Sequence, residues 1–250
     1  MTDQGSESVE IKITDDQSYT LYSERYGEFY HCRGGAYLKA KHIFLEPVHE
    51  LDDTIPAQKR KILEVGFGAG LNFFVTADHY ANEGIRLEYT ALEHDLLSAE
   101  LFEQLHYESL LSKPDSVLEF ISARKLLPDN PPCGEYEINI HPNIQLRLWI
   151  GNATEMLLEN EHYDWVYHDP FSPAHNPELW SEAFIQRVSD AMREGGGLST
   201  YSVNGEARRV MKRVGLKPEK RPGIPGKREV LVAKKPFRAE PILHEQGCLT

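Results

Sequence analysis

Three glycines at alternate positions, Gly66, Gly68 and Gly70, follow the short apolar run at residues 61–65. The apolar run predicts a buried strand, and the apolar residues of segment 70–80 predict a helix. Glycines between a strand and a helix allow the backbone to turn tightly and to approach a ligand closely. The segment is therefore expected to be the first strand–loop–helix unit of an α/β sheet.

The spacing of these glycines indicates which kinds of ligand-binding loop this segment can form. A dinucleotide fingerprint needs G-x-G-x-x-G, but Leu71 stands where the third glycine belongs, and Gly70 comes one residue early. This disfavours NAD and FAD as ligands. No G-K-[ST] follows, which excludes a P-loop. A tight turn without any ligand remains an alternative.

The remaining sequence predicts repeated strand–helix units. Strands are predicted at 86–92, 163–168, 198–203 and 229–233, helices at 96–106 and 206–214, and a hairpin at 136–150. Another helix is predicted to start at Asn176 as N-cap with Pro177 in its first turn and to end at the glycines 195–197. Prolines are expected to interrupt regular structure in segment 113–134. This order implies a doubly wound, mostly parallel, Rossmann-like sheet that binds ligands at the carboxyl ends of its strands.

The domain organisation follows from the same pattern. We expect an acidic, flexible leader at residues 1–18, an aromatic-rich N-terminal cap at 19–55, the Rossmann-like domain at 56–238, and a C-terminal tail at 239–250. No apolar run is long enough for a membrane span, and the polar start of the chain does not resemble a secretory signal. Three cysteines without C-x-x-C spacing favour a reducing, cytoplasmic location.

The charge of the chain is unevenly distributed. Its net charge of −12 argues against a nucleic-acid partner, yet segment 205–238 has 12 Lys or Arg against three acids and carries +9, which leaves −21 elsewhere. Within this segment, four basic residues face away from an apolar stripe: Arg208, Arg209, Lys212 and Arg213. A solvated basic helix and a nucleic-acid-binding face are both consistent with this pattern.

The pattern E-x-G-x-G-x-G resembles the first motif of class I S-adenosylmethionine-dependent methyltransferases. The resemblance implies that Glu64 approaches the ammonium group of the cofactor, that Glu93 accepts the ribose hydroxyls, and that Asn152 contacts the adenine. Many relatives have Asp where this chain has Asn152, and a helix cap is an alternative role for Glu93. The full cofactor site implied by the resemblance consists of Glu64, Gly66, Phe67, Gly68, Gly70, Asn72, Glu93, His94, Asn152, Ala153 and Asp169.

A second motif follows the predicted strand at 163–168. The sequences HDPFSPAHNPELW and TYSVNGEARRVMKRVGLKPEKRPGIPGKREVLVA resemble the MnmC methyltransferase-domain family, including its stand-alone MnmD-like form, and the resemblance extends over about residues 19–233. It implies methylation of the amine of 5-aminomethyl(-2-thio)uridine at the tRNA wobble position. Asp169 would orient or deprotonate the amine, while Phe171 and Pro173 would form apolar walls around the base. A turn residue before Pro170 is the alternative role for Asp169.

The same resemblance implies partners and absences. The anticodon region of tRNA would contact Arg208, Arg209, Lys212, Arg213, Lys227 and Arg228. We expect no metal site, because the spacing of the histidines matches no zinc template, and no oxidase half after Arg238. Relatives commonly have an acid near the position of Lys39, so we expect no ligand role for that stretch.

Two other functions are consistent with parts of the sequence. An aminopropyltransferase of the spermidine synthase kind has a related fold, but it needs several acids to hold a polyamine, and only Glu178 and Glu182 closely follow Asp169. A catalytically silent RNA-binding module is the other alternative. Transfer of a labelled methyl group to tRNA, aminopropyl transfer to putrescine, and calorimetry with S-adenosylmethionine distinguish the three.

Overall fold

The computed structural model describes residues 9–51 and 58–238. Its first part is a small antiparallel sheet of β1 (Val9–Ile13), β2 (Tyr19–Ser23) and β3 (Glu28–Phe29). Residues 9–13, which belong to the leader expected at 1–18, form β1 and pair with β2. A continuous helical segment follows, made of α1 (Ala36–Lys39), a π-helical turn (Ala40–Leu45) and α2 (Glu46–Leu51). Residues 1–8 of the leader and the predicted tail at 239–250 lie outside the described residues.

The main sheet has eight strands in the order β10-β11-β9-β8-β4-β5-β7-β6. The strands are β4 (Lys59–Val65), β5 (Arg86–Glu93), β6 (Gly134–His141), β7 (Ile144–Ile150), β8 (Tyr163–His168), β9 (Met192–Thr200), β10 (Lys217–Ile224) and β11 (Lys227–Lys234). Its five central strands, β9 to β7, are parallel, whereas β6, β10 and β11 add antiparallel edges. The predicted mostly parallel sheet with a hairpin insertion is thus confirmed.

Both faces of this sheet carry hydrophobic clusters. The helices are α3 (Leu71–Glu83), α4 (Ala99–Gln104), α5 (Asp115–Arg124), α6 (Glu182–Ala191) and α7 (Gly205–Arg213), with 3-10 helices at Tyr107–Leu110 and Pro177–Trp180. Successive residues of a strand point to opposite faces. Accordingly, Ile62 packs in the cluster that holds Phe74 and Phe120, and Leu63 in the cluster that holds Val188 and Met211.

Several elements differ from the sequence prediction. Asn176 precedes only the 3-10 helix, and α6 starts later, where the Ser181 hydroxyl accepts the Phe184 amide at 3.2 Å. The three glycines that were expected to end the helix lie inside β9. Glycine is needed at position 197, because a Cβ there would stand 2.5 Å from the Trp165 ring. The helix α5 occupies part of the segment where prolines were expected to prevent regular structure, and β10 is an additional edge strand.

The parallel strands bring their carboxyl ends to one edge of the sheet. Glu93 ends β5, and Asp169 directly follows β8. The glycine loop, residues 66–70, leaves β4 at the same edge. Of the helices within residues 9–51 and 58–238, none combines the length and apolar character that crossing a bilayer requires.

Candidate active site

A cleft of about 620 Å³ opens at this edge of the sheet. Its lining comes from the cap, the glycine loop, and the segments that follow β5, β7 and β8; it also includes Tyr201 and Lys227. A volume of this size falls in the range of small-molecule sites, about 300–1,000 Å³. The edge at which ligands bind in doubly wound sheets therefore carries a cavity that can enclose a nucleoside-sized molecule.

The glycine loop is shaped by left-handed backbone and by close neighbours. Gly66 and Gly68 have φ of 88° and 53°. A Cβ on Gly68 would stand 2.9 Å from the ring of Tyr30 in the cap, and a Cβ on Gly66 would stand 2.8 Å from the Asp169 carbonyl oxygen. Only glycine combines this backbone with these approaches. The loop thus brings the cap and the segment after β8 close together.

Glu93 connects the second strand to the loop. One carboxylate oxygen accepts the Gly68 amide at 2.7 Å, and the other accepts the amides of His94 and Asp95 at 2.8 and 2.9 Å. Burial raises the pKa of Glu93, and the hydrogen bond from Gly68 opposes the rise. Two oxygens with two lone pairs each leave acceptor capacity on the side that bonds only Gly68.

Asn152 lies in the turn after β7 and makes local hydrogen bonds. Its Oδ1 accepts from the Thr154 amide at 3.0 Å and from the Thr154 hydroxyl at 2.8 Å, while its Nδ2 donates to Glu155 at 3.2 Å. The side chain thus stabilises its own turn. Asn152 and Ala153 both line the cleft, so they are available to a ligand there.

Asp169 is held from two sides in the cleft. Lys39 Nζ donates to its Oδ1 and Oδ2 at 2.8 and 2.9 Å, and Asn72 Nδ2 donates to Oδ2 at 3.0 Å. Burial raises the pKa of Asp169, whereas the Lys39 ammonium lowers it. The Asp169 carboxyl is therefore a partly desolvated acid with a cation on one side and an amide on the other.

Glu64 lies beneath the loop and is fully buried. Its two oxygens accept from Asn72 Nδ2 at 2.8 Å and from the Tyr89 hydroxyl at 2.9 Å. Burial raises its pKa well above the ordinary value. The Glu64 side chain is not among the residues that line the cleft, and its expected approach to the cofactor ammonium, directly or through water, stays a prediction. Glu64 connects to Asp169 through Asn72.

The aromatic wall of the cleft is centred on Phe171. Tyr26 stacks on its ring with a centroid distance of 4.3 Å and an angle of 26°, and Tyr30 approaches edge-on at 5.3 Å. The Ser172 amide donates to Glu28 of the cap at 3.2 Å. Cap residues thus hold the segment after β8 in place and leave Phe171 on the cleft surface.

The basic residues of α7 have unequal surroundings. Arg209 pairs with Glu206 at 2.7 Å, and Arg213 pairs with Glu182 and Glu206 at 2.6 and 3.1 Å. These two charges are compensated within the protein. The other two basic residues of this helix are Arg208 and Lys212. Neither forms an ion pair with another residue in the ranges 9–51 and 58–238.

The structure brings most of the predicted site residues together. Nine of the eleven predicted cofactor residues line the cleft: Gly66, Phe67, Gly68, Asn72, Glu93, His94, Asn152, Ala153 and Asp169. Glu64 and Gly70 do not. Of the predicted substrate residues, Phe171 and Lys227 line the cleft. The others lie outside its lining; they are Pro173, Arg208, Arg209, Lys212, Arg213 and Arg228.

Several residues of the cleft were not predicted as site residues, and two of them, Lys39 and Tyr201, bear on Asp169. Lys39, for which no ligand role was expected, lines the cleft beside Asp169. Tyr201 is close to two cations, with Lys39 Nζ 5.1 Å and Lys227 Nζ 4.7 Å from its ring centroid. Lys39 belongs to none of the quoted motifs, and Tyr201 lies in the segment that resembles the family but received no role from it.

One group of potential metal ligands lies outside the cleft lining. His49, His79 and Glu83 each present a ligand atom, and these atoms lie within 4.8 Å of one another. His79 and Glu83 are one helical turn apart on α3, with 3.3 Å between Nε2 and Oε1. The expectation that the protein binds no metal stays a prediction.

Comparisons with known proteins identify relatives of this chain. A family profile described as S-adenosyl-L-methionine-dependent methyltransferase matches residues 121–236. The bifunctional protein MnmC of Aromatoleum aromaticum, named for tRNA 5-methylaminomethyl-2-thiouridine biosynthesis, is 33% identical over 232 residues, which cover 88% of this chain and 34% of the relative. MnmC of Cupriavidus metallidurans is 30% identical over 220 residues, covering 86% and 32%. The chain thus spans about a third of the length of these curated relatives.

A solved structure extends the likeness to the fold. The crystal structure of MnmC2 from Aquifex aeolicus superposes with a TM-score of 0.71 at 28% identity, over 94% of this chain and 74% of the other. Together with the glycine loop and the acidic end of β5, these findings define the chain as a class I S-adenosylmethionine-dependent methyltransferase. Within that class, it belongs to the MnmC methyltransferase-domain family.

The residues present fit the cofactor of this class. The absence of a Cβ on Gly68 lets the Tyr30 ring, which lines the cleft, approach the loop, and Glu93 supplies a carboxylate with acceptor capacity at the end of the second strand. The cleft continues from there to Asp169. The carboxylates of the cleft can accept hydrogen bonds from hydroxyl and amine groups. The loop lacks the fingerprint for binding a pyrophosphate, which suits S-adenosylmethionine because that cofactor has no pyrophosphate.

Proposed function

We propose that the protein methylates the amine of 5-aminomethyl(-2-thio)uridine at the tRNA wobble position and yields the 5-methylaminomethyl form. The observation that carries this proposal is the position of Asp169: its carboxylate lies in the same cleft as the glycine loop and Glu93. A carboxylate there suits an amine acceptor. The names of the MnmC relatives, which specify 5-methylaminomethyl-2-thiouridine biosynthesis in tRNA, support the same substrate.

The cofactor half of the proposed site is the glycine loop with Glu93, Asn152 and their neighbours. Glu93 accepts hydrogen bonds from the ribose hydroxyls, and the turn at Asn152 and Ala153 contacts the adenine. S-adenosylmethionine, when bound, supplies a methyl group on a positively charged sulfur. Glu64 acts from below the loop by fixing Asn72.

The acceptor half of the proposed site works by positioning. A primary amine is mostly protonated at neutral pH and must lose a proton before it can attack. Asp169 orients the amine and receives that proton. With S-adenosylmethionine held by the glycine loop and Glu93, the freed nitrogen lone pair would accept the methyl group, the carbon–sulfur electron pair would stay with sulfur, and the positive charge would end on nitrogen.

Aromatic side chains form the proposed nucleoside wall. The base must leave its stack to reach Asp169, and Phe171 offers an apolar surface beside that carboxylate. Tyr26 and Tyr30 support Phe171 from the cap. Pro173 lies two residues further on and shapes the segment that carries Phe171.

The tRNA itself is proposed to lie along the basic segment 205–238. Lys227 and Arg228 begin β11 at the same edge of the sheet as the cleft, and Lys227 lines it. The basic residues of α7 extend this surface as phosphate contacts: Arg208, Arg209, Lys212 and Arg213. Because the proposed substrate is tRNA, we propose a cytoplasmic site of action.

The decisive experiment is nucleoside mass spectrometry after incubation of the protein with S-adenosylmethionine and tRNA that carries 5-aminomethyl-2-thiouridine. The expected result is conversion to the 5-methylaminomethyl nucleoside. Decarboxylated S-adenosylmethionine with putrescine serves as the control for aminopropyl transfer. Aminopropyl transfer without tRNA methylation, or cofactor binding with no transfer to tRNA, would overturn the proposal.

A further inference from the structure

Lys39 is a buried lysine whose partner is the proposed acceptor carboxylate. Its side chain is 6% exposed, and that of Asp169 is 7% exposed. Lys39 Nζ bonds both Asp169 oxygens and also donates to the Tyr30 carbonyl at 3.2 Å. Lysines are almost never this buried unless they are paired. An ammonium group is therefore built into the cleft beside Asp169.

The geometry around Asp169 fixes both its oxygens. Lys39 donates from the cap to both oxygens, whereas Asn72 donates from the start of α3 to Oδ2. Asn72 is held in turn by Glu64 at 2.8 Å. Since these donors come from separate elements of the fold, the carboxylate is restricted to one orientation towards the cleft. Of the two donors, only Lys39 brings a charge.

The charge of Lys39 opposes the effect of burial. Burial alone favours the neutral acid, which neither attracts an ammonium nor accepts its proton. The Lys39 ammonium favours the carboxylate form. A second cation, Lys227, also lies near Tyr201, with its Nζ 4.7 Å from the ring centroid. Two lysine ammonium groups of the cleft, those of Lys39 and Lys227, thus act on the Asp169 carboxylate.

We propose that Lys39 is the positioning residue of the transfer site: it keeps Asp169 ionised and correctly aimed, and it favours the uncharged form of the incoming amine by charge repulsion. The second part rests on the proposed function, because it concerns an amine acceptor. A like charge nearby disfavours the protonated amine, and the released proton passes to Asp169 or to water. Lys39 itself forms no bond to the substrate in this scheme.

Other titratable groups face this pair from the surrounding elements. Glu64 interacts with both members from β4, Tyr201 follows β9, and Lys227 starts β11. His31 faces Lys39 from the cap and is fully enclosed, and burial followed by the charge of Lys39 keeps its pKa well below the ordinary value. The side chains of these groups remain in a Lys39 variant, but the pKa values of His31 and Lys227 also respond to the loss of the Lys39 charge. The test therefore follows the Asp169 carboxyl itself.

The first test needs no substrate. The Asp169 carboxyl is followed by ¹³C NMR during a pH titration, and its signal is identified by its loss in Asp169→Asn. In Lys39→Met the titration midpoint is expected to move to higher pH, because the opposing cation is removed. Lys39→Arg should titrate close to wild type. Lys125→Met is the matched control, since Lys125 is exposed and pairs with Glu103 at the surface.

Lys39→Gln keeps the test decisive if the methionine variant does not fold. Glutamine still offers a hydrogen-bond donor to Asp169 but carries no charge, so its midpoint should rise as well. An unchanged or lower midpoint in both neutral variants would overturn the role of Lys39. Thermal unfolding and S-adenosylmethionine calorimetry establish that each measured variant is folded.

The second test measures transfer to tRNA as a function of pH. Lys39→Met should lose about 10²-fold in kcat, as expected for a misplaced catalytic group, and the acidic limb of its profile should move to higher pH. Lys39→Arg should recover most of the rate. Full kcat with an unshifted profile would contradict the proposal. If wild type itself transfers no methyl group to tRNA, the proposed function fails, while the NMR titration still decides the role of Lys39 towards Asp169.

Discussion

The carboxylate of Glu93 accepts a hydrogen bond of 2.7 Å from the backbone amide of Gly68. This contact joins the end of β5 to the loop that follows β4, so the acid and the glycine loop form one unit. The other oxygen of Glu93 holds the amides of His94 and Asp95. The orientation of the carboxylate is thereby fixed before any ligand arrives, which reduces the ordering cost of binding.

Replacing Glu93 by glutamine should therefore weaken S-adenosylmethionine binding. Hydrogen bonds to a charged group contribute about 1.5–3 kcal/mol, and each 1.4 kcal/mol corresponds to a factor of about ten in affinity. We expect Kd, measured by titration calorimetry, to rise about tenfold or more in Glu93→Gln. Glu119→Gln, which changes an exposed acid on α5, should leave it unchanged. An unaltered Kd in Glu93→Gln would exclude the acid from cofactor binding.

A methyl group on Gly68 should block the cleft. Its φ of 53° disfavours alanine, and the added Cβ would stand 2.9 Å from the Tyr30 ring. Gly84 is the matched control, because its φ is also left-handed, at 70°, but no atom lies within 4 Å of its added Cβ. Both alanine variants should lose about 1–2 kcal/mol of unfolding free energy from backbone strain.

Only Gly68→Ala should also lose S-adenosylmethionine affinity. Chemical denaturation and calorimetry on the same preparations separate the two effects. If Gly84→Ala loses the same affinity, general destabilisation is the cause. If neither variant does, the loop does not contact the cofactor closely.

Asp169→Asn should slow methyl transfer and leave cofactor binding intact. An amide keeps the size and one oxygen of the side chain, so Lys39 retains an acceptor, but the amide cannot take a proton from the amine. We expect kcat for tRNA methylation to fall about 10²-fold or more. Kd for S-adenosylmethionine should stay within a few-fold. Asp190→Asn on α6 is the control, and a fully active Asp169→Asn enzyme would remove Asp169 from the mechanism.

Much of the fold and of the cofactor site was predictable because its signals are local. The apolar run at β4, the glycines after it and Glu93 at the end of β5 follow one another within about 30 residues of sequence. Periodicity and glycine spacing report such features directly. The pairing of Lys39 with Asp169 is different, since it connects positions 130 residues apart. Nothing in either local pattern specifies that contact.

The elements that were missed depend on neighbours that a local pattern does not reveal. The glycines of β9 look like a helix stop, yet Gly197 is required by the Trp165 ring on the adjacent strand. The strand β10 contains Pro218 and Pro222, which are tolerated because it lies at the sheet edge. Tertiary packing thus overrode the intrinsic preferences of both segments.

The ion pairs of α7 predict that its basic residues contribute unequally to tRNA binding. Each phosphate contact contributes nearly one unit to the slope of log K against log salt. Arg208→Gln with Lys212→Gln should flatten that slope by up to about two units. Arg209→Gln with Arg213→Gln removes charges that Glu182 and Glu206 already compensate, so a smaller change is expected. Filter binding across a salt series measures both, and equal slopes in all three proteins would remove α7 from the interface.

Glu64 should make the stability of the protein decrease as pH rises. Burial raises its folded-state pKa well above the ordinary value of 4.5. Between those two values the unfolded chain has released the proton that the folded protein still holds, so the free energy of unfolding falls with pH across this window. Below about pH 4.5 both states are protonated, and the stabilising contribution is complete. In Glu64→Gln this slope is absent, and the hydrogen-bond change that the substitution also causes is independent of pH.

Urea denaturation of both proteins from pH 4 upward should therefore show the variant gaining stability relative to wild type as pH rises. A constant difference would mean that Glu64 titrates near its ordinary pKa and is not held as a neutral acid beneath the glycine loop.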